Sequence, residues 1–329
     1  LLDLRANSFS GALGPDELDF RQDIPAWLNL CWNDLQAGDQ AVRYWLQLEH
    51  YTDEFQQCFG KTIQTPALTS SGSWYDPDHS GQGLSIMHLD DGQTLVHWFT
   101  YAPQEDTHQR QNWLVGSRRI ENQGFDDLAA FAPIGGHFSQ GLPNPVNYSM
   151  DVIGRLNLFW TESGLTADQE AQTQRMSDPA RDLTELTQLT RLAGTTCSNQ
   201  QPQQWISGAW YDPAASGEGL AIEVLENGQG QVYWFTYEGD DSGNQAWMLG
   251  TGEFDGNTLQ VDEVLKPSGG YFGDDLDPGS IQVTDWGSLS IEFNREGSSA
   301  LSWESELPGY GSGTQEIEQL AGARLADCD

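Results

Sequence analysis

Lysine is nearly absent from this chain: 329 residues hold two, Lys61 and Lys266, and the 14 basic residues stand against 49 acidic ones. A formal net charge of −35 repels nucleic-acid phosphate and anionic membrane surfaces, which excludes both as partners. No apolar run is long enough to span a bilayer, so membrane insertion is not expected. Cysteine is sparse, with four in all, and none falls in a C-x-x-C pair of the zinc or redox type. The sequence also lacks a phosphate loop, a dinucleotide fingerprint, a G-x-S-x-G elbow and any Ser/His/Asp or Cys/His arrangement, so no motif names a reaction.

What the chain does have is a duplication. Gly72-Ser73-Trp74-Tyr75-Asp76-Pro77-Asp78-His79-Ser80-Gly81-Gln82-Gly83-Leu84 returns 136 positions later as Gly208-Ala209-Trp210-Tyr211-Asp212-Pro213-Ala214-Ala215-Ser216-Gly217-Glu218-Gly219-Leu220. The same shift carries Trp98-Phe99-Thr100-Tyr101 onto Trp234-Phe235-Thr236-Tyr237. With a small drift, Trp113 falls on Trp247 and Gly135-Gly136 on Gly269-Gly270. Agreement this long in residue types this rare marks a duplicated domain. The chain divides accordingly into an N-terminal arm and helical hairpin (1–71), a first β repeat (72–197) and a second β repeat (198–329).

Asp23-Ile24-Pro25 reads as a helix cap with an early proline, and Ile24, Trp27, Leu28, Cys31, Trp32 and Leu35 recur at helical spacing. Gly38 ends that run, and Val42, Trp45, Leu46, Leu48 and Phe55 suggest a second helix. A small α-helical hairpin over 23–59, tied by Cys31–Cys58, is therefore expected. Cys197 and Cys328 each close a repeat, which favours a disulfide between them, although four cysteines allow three pairings. Disulfides imply an oxidising compartment and hence an exported protein.

Within each repeat, short strands alternate with turn signals. Asp91-Gly92 reads as a two-residue hairpin turn between 83–89 and 94–101. Pairing 90 with 93 then makes His88 and His97 diagonal neighbours on one face. The second repeat reads as nine strands, with 280–284 and 287–293 separate. Residues 164–182 contain Thr166-Ala167-Asp168-Gln169-Glu170, a capping pattern, and are expected to form a short helix or loop. The whole predicts a mainly β chain of two tandem antiparallel β-barrel or β-sandwich repeats preceded by the helical hairpin. The Gly-x-Trp-Tyr opening strand followed by a meander is similar to the start of streptavidin-like and lipocalin-like barrels. The full repeat, with W-Y-D-P-x-x-S-G-x-G, W-F-T-Y, a later G-G and a closing Leu-rich strand with Cys, resembles a tandem module of exported bacterial proteins. That resemblance spans roughly 72–197 and 208–328 and implies architecture rather than activity.

The repeated motif has a structural explanation. An Asp before Pro is held extended, its carboxylate can cap the following amides, and the glycines permit positive φ. The same motif is also a candidate ligand or calcium loop through Asp76, Asp212, Ser80 and Ser216. Trp74, Trp98, Tyr101, Trp210, Trp234 and Tyr237 form a candidate ligand-binding set, because Trp and Tyr stack well on sugar rings; core packing is the competing reading. Histidine distinguishes the repeats, with His79, His88, His97, His108 and His137 in the first and none in the second. His88, His97 and His137 are the candidate ligands for copper or zinc. In the acidic loop Glu238–Asn244, Asp240, Asp241 and Asn244 are candidate calcium ligands, without the EF-hand register.

Residues 198–329 carry three basic against 23 acidic residues, so pairing any two carboxylates as acid and base is arbitrary. The favoured reading is a non-enzymatic binding or surface protein, secreted, periplasmic or at the cell surface, recognising a glycan or other small ligand, with calcium as a candidate stabiliser. The alternatives are a copper- or zinc-binding metalloprotein with its His site in the first repeat and, third, a secreted hydrolase.

Overall fold

The computed structural model describes residues 2–3, 10–13, 28–29, 34–37, 67–103, 110–119, 125–142, 152–161, 164–171, 182–272 and 275–328. Two closed eight-stranded antiparallel barrels follow one another along the chain. The first comprises β1 (Gly72–Tyr75), β2 (Gly83–His88), β3 (Gln93–Tyr101), β4 (Gln111–Arg119), β5 (Phe125–Phe131), β6 (Val152–Thr161), β7 (Gly164–Ala171) and β8 (Asp182–Gln188). The second comprises β9 (Gly208–Tyr211), β10 (Gly219–Val224), β11 (Gly230–Tyr237), β12 (Gln245–Asp255), β13 (Thr258–Ser268), β14 (Gln282–Glu292), β15 (Ser299–Glu304) and β16 (Ser312–Gly322). Each barrel is a simple meander in which the last strand pairs with the first, Gln188 opposite Trp74 and Gln319 opposite Trp210. Closure leaves no open sheet edge.

Three expectations are corrected here. The segment 164–171 is strand β7, paired with β6 and β8, because closing the barrel requires a strand where local capping chemistry suggested a helix. The stretches 280–284 and 287–293 merge into β14, whose ladder absorbs an irregularity at Gly287, held at φ +141°. Within the expected helical hairpin, the described residues are the strands Leu28–Asn29 and Asp34–Ala37, each paired in parallel with an earlier two- or four-residue strand. The rest of the hairpin, Cys31 and Cys58 included, lies outside the described residues. Cys197 and Cys328 form the expected disulfide, with Cα atoms 5.6 Å apart. No helix among the described residues is long and apolar enough to cross a membrane.

The repeated motif builds the same turn twice. Asp76 Oδ1 accepts the amide of Asp78 and Asp212 Oδ1 that of Ala214, at 2.8 and 2.7 Å. The last motif glycine is required by close approach, since a Cβ at Gly83 or Gly219 would lie 2.5 or 2.7 Å from the carbonyl of Trp74 or Trp210. Indole Nε1 of Trp74 donates to Ser70 O and that of Trp210 to Ile206 O, both at 2.9 Å, so each opening strand is anchored to its preceding 3-10 turn.

Trp74, Ile86, Val96, Trp98 and Leu158 fill the first barrel, and Trp210, Ile222, Val232, Trp234 and Trp286 fill the second. The outward faces of β2–β4 and β9–β12 form a third cluster, in which Phe99, Tyr101 and Trp113 meet Tyr233, Phe235 and Trp247. β11 is consequently buried along its whole length, one face in its barrel and the other in the seam.

The seam has an approximate two-fold relation. Gln111 Nε2 donates to Trp247 O while Gln245 Nε2 donates to Trp113 O, both at 2.8 Å. The return bonds, Trp247 N to Gln111 Oε1 and Trp113 N to Gln245 Oε1, are 3.1 and 3.2 Å. Each glutamine amide thus pairs with the other barrel as a backbone unit would. Trp113 Nε1 donates to Thr236 O and Trp247 Nε1 to Thr100 O. The barrels also exchange plugs. Phe138, from the loop after β5, packs on Trp234, Trp303 and Tyr310 inside the second barrel. Phe272, from the loop after β13, packs on Trp98 of the first. The glycine pairs before these phenylalanines are steric necessities: a Cβ at Gly136 would sit 2.1 Å from the Tyr237 ring, and one at Gly270 2.4 Å from the Tyr101 ring.

Candidate functional site

The histidines do not converge. The hairpin after β2 uses three loop residues, Asp90-Asp91-Gly92, with Leu89 N bonded to Gln93 O and Gly92 left-handed at φ +82°. His88 therefore pairs with Thr94 and Ser85 with His97, one step from the expected register. In a strand one step reverses the face. His88 points into the first barrel, its Nε2 2.8 Å from Ser70 Oγ and its Nδ1 2.8 Å from Thr94 Oγ1. Burial, and then the charge of Arg324, lower its pKa to about 4. His97 points into the seam. His137 stands on the exchanged plug loop, its Nδ1 3.3 Å from Asp241 Oδ1. Among the described residues no three His, Cys, Asp or Glu side chains are grouped so as to hold a metal.

The acidic loop is likewise committed elsewhere. Asp240 Oδ1 accepts Ser242 N, Asn244 Oδ1 accepts Arg110 Nη1, and Asp241 faces His137. Arg110 and His137 of the first repeat thus contact the candidate calcium loop. Of the aromatic set, Trp74, Trp98, Tyr101, Trp210, Trp234 and Tyr237 are all buried, so they form no exposed platform. The Trp of W-F-T-Y fills a barrel and its Tyr lies in the seam.

The seam itself contains a site that sequence reasoning missed. On one side, Glu223 of β10 is fully buried and accepts from Ser73 Oγ at 2.8 Å, Ser85 Oγ at 2.7 Å and Thr190 Oγ1 at 2.5 Å, all from the first repeat. Tyr233 OH lies 2.7 Å from Ser73 Oγ. Because that Ser73 proton goes to Glu223, Tyr233 is the donor to Ser73. Burial raises the pKa of Glu223, against the opposing pull of the three hydroxyls. Ile281 packs over Gly81 and against the seam cluster.

Across the pseudo-two-fold, the duplication places Met87, Ala209, Ala221 and His97 where this cluster has Glu223, Ser73, Ser85 and Tyr233. There the seam opens into a cleft of about 180 Å³. His97 and Phe235 stack nearly parallel, 4.9 Å between centroids, and line it together with Trp113, Trp210 and Tyr211. His97 is 8% exposed and its Nδ1 has no hydrogen-bond partner. Burial lowers its pKa to about 4, so the ring is neutral at pH 7.

No protein-family model and no curated protein matches this chain. The cleft is therefore read from its own chemistry.

Its other polar wall is Glu218, the variable residue of the second Ser-Gly-x-Gly, 7% exposed. Thr236 Oγ1 and Ser139 N donate to its Oε2, and Gln315 Nε2 to its Oε1 at 3.3 Å. Ser139 belongs to the plug loop of the first repeat, so this carboxylate also clasps the exchanged segment. Burial pushes its pKa up to about 7, and the nearby charge of Asp212 adds to the rise. The sequence signals for this site were the charged residue at the x of Ser-Gly-x-Gly and the Met87-to-Glu223 exchange between repeats. Both are single differences within a repeat, legible only once the seam is known.

Proposed function

We propose that this protein is an exported, non-enzymatic binding protein whose ligand, a small molecule, occupies the cleft between the two barrels. The cleft carries the reading. It holds about 180 Å³ where one water needs about 15 Å³, and aromatic and aliphatic side chains with two polar groups line it. Trp113 and Phe235 supply contact area at low entropic cost, while His97 and Glu218 supply orientation. The Cys197–Cys328 disulfide supports export. A glycan laid across an exposed aromatic surface has less support, because the rings that would form it are interior.

Trp113, in the seam, reports on the cleft, so a screen of small aromatic fragments followed by tryptophan fluorescence tests the reading. Fragments that change the emission should lose that effect in Ala209→Leu, which adds a larger side chain to the cleft wall. Circular dichroism would confirm that this variant is folded. Binding that persists unchanged in Ala209→Leu would move the site elsewhere.

A further inference from the structure

We infer that the cleft selects a small organic cation, a protonated amine or quaternary ammonium on an apolar or aromatic body. This rests on the cleft being the binding site. The first observation is that Glu218 is a buried carboxylate held by neutral donors only: Thr236, Ser139 and Gln315. Among the described residues it forms no ion pair, and Asp212 close by adds negative rather than compensating charge. A carboxylate so placed is costly unless something cationic joins it.

The second observation is that the fold does not require the charge. In the first repeat the same position is Gln82, whose Oε1 accepts from Thr100 Oγ1 at 2.7 Å, just as Glu218 accepts from Thr236. A neutral amide therefore satisfies the structural role. The charged version stands on the side of the seam where the cleft is open.

Third, the remaining walls suit a cation. Trp113, Tyr211 and Phe235 line the same cleft, and ring faces attract ammonium groups, most strongly where water is excluded. His97, neutral and with an unpartnered ring nitrogen, does not repel a positive ligand. The overall charge of −35 favours the approach of cations to the cleft mouth.

The test uses two probes of similar body, benzyltrimethylammonium and neutral benzyl alcohol, titrated into the 329-residue chain by calorimetry and tryptophan fluorescence. Wild type should bind the cation at least about tenfold more tightly than the alcohol. Glu218→Gln, which copies the natural Gln82, should lose about tenfold for the cation and leave the alcohol unchanged. Tyr211→Leu, a change at the half-exposed rim, should weaken the cation several-fold more than the alcohol, and it serves if Glu218→Gln does not fold. Ala209→Leu should abolish both. Equal affinity for the two probes, or a cation indifferent to both Glu218→Gln and Tyr211→Leu, overturns the cationic ligand class while leaving the cleft as a neutral site. Cation binding that survives Ala209→Leu belongs to the general acidic surface and overturns the proposal as well. If neither probe binds, the proposal and the cleft reading fall together.

Discussion

The two sides of the seam descend from one repeat and meet the same partner surface, yet one is closed and polar while the other is open and largely apolar. On the closed side a single carboxylate, Glu223, gathers three hydroxyls from the opposite repeat. On the open side methionine and two alanines replace those groups, and His97 stands with an unsatisfied nitrogen beside a cavity. Duplication supplies a docked, two-fold scaffold; divergence at four or five positions then makes one half a fastener and leaves the other an open cleft. The asymmetry is affordable because the shared parts, the Gln111 and Gln245 bonds and the exchanged phenylalanines, already hold the barrels together.

The largest way to break this comparison is to remove a plug. Phe138 sits among Trp234, Trp303 and Tyr310, so Phe138→Ala should cost about 4 kcal/mol in urea unfolding. Phe272 is only partly buried against the first core, so Phe272→Ala should cost distinctly less. Equal losses would mean that the exchange is energetically symmetric.

Next in size is the fastener. Glu223→Met, which copies Met87, strands the hydroxyls of Ser73, Ser85 and Thr190 and should cost about 3 kcal/mol. Adding Ser73→Ala and Ser85→Ala, which copy Ala209 and Ala221, should recover much of that loss, since removing both partners of a buried bond is far cheaper than removing one. A triple variant no more stable than Glu223→Met would show that the hydroxyls are not the cause.

The cleft side should declare itself through pH. Glu218 has its folded pKa raised from 4.5 to about 7, so the folded state holds a proton that the unfolded state releases. Stability from this group is present below pH 4.5 and is lost as pH rises through 7, by on the order of 3 kcal/mol. Thermal unfolding of wild type against Glu218→Gln across pH 4.5 to 8 isolates this slope, because the other titrating groups are common to both. His97 acts in the opposite sense: its pKa is lowered to about 4, and the stability it carries is lost as pH falls from 6.5 towards 4.

The smallest effect concerns the histidine that differs between repeats but lies outside the seam's core. His137→Tyr, copying Tyr271, removes a contact to the exposed Asp241 and should change stability by no more than about 0.5 kcal/mol. Bound metal that disappeared with this substitution would reopen the metal reading.

Much of the fold was legible because its causes are local and occur twice. Asp76 and Asp212 cap the same turn, Gly83 and Gly219 permit the same close approach, and the copies confirm one another. Legibility failed where a single residue of register mattered. Asp91-Gly92 was a correct hairpin signal, but whether the loop holds two residues or three decides which face His88 and His97 occupy, and both are compatible with the turn chemistry. It failed again at 164–171, where a locally helical capping pattern is overridden by the strand on either side.

By itself the sequence determined that there are two repeats, that each is a meander of short strands, and that the chain is strongly acidic. These follow from residue type, spacing and the repeat itself. Only the tertiary structure decided that W-F-T-Y has two buried faces, that each barrel is plugged by the other repeat's phenylalanine, and that Glu218 and His97 share a cleft. The physical reason is distance along the chain: these contacts join residues about a hundred positions apart or more, so no local pattern encodes them until the two barrels have docked.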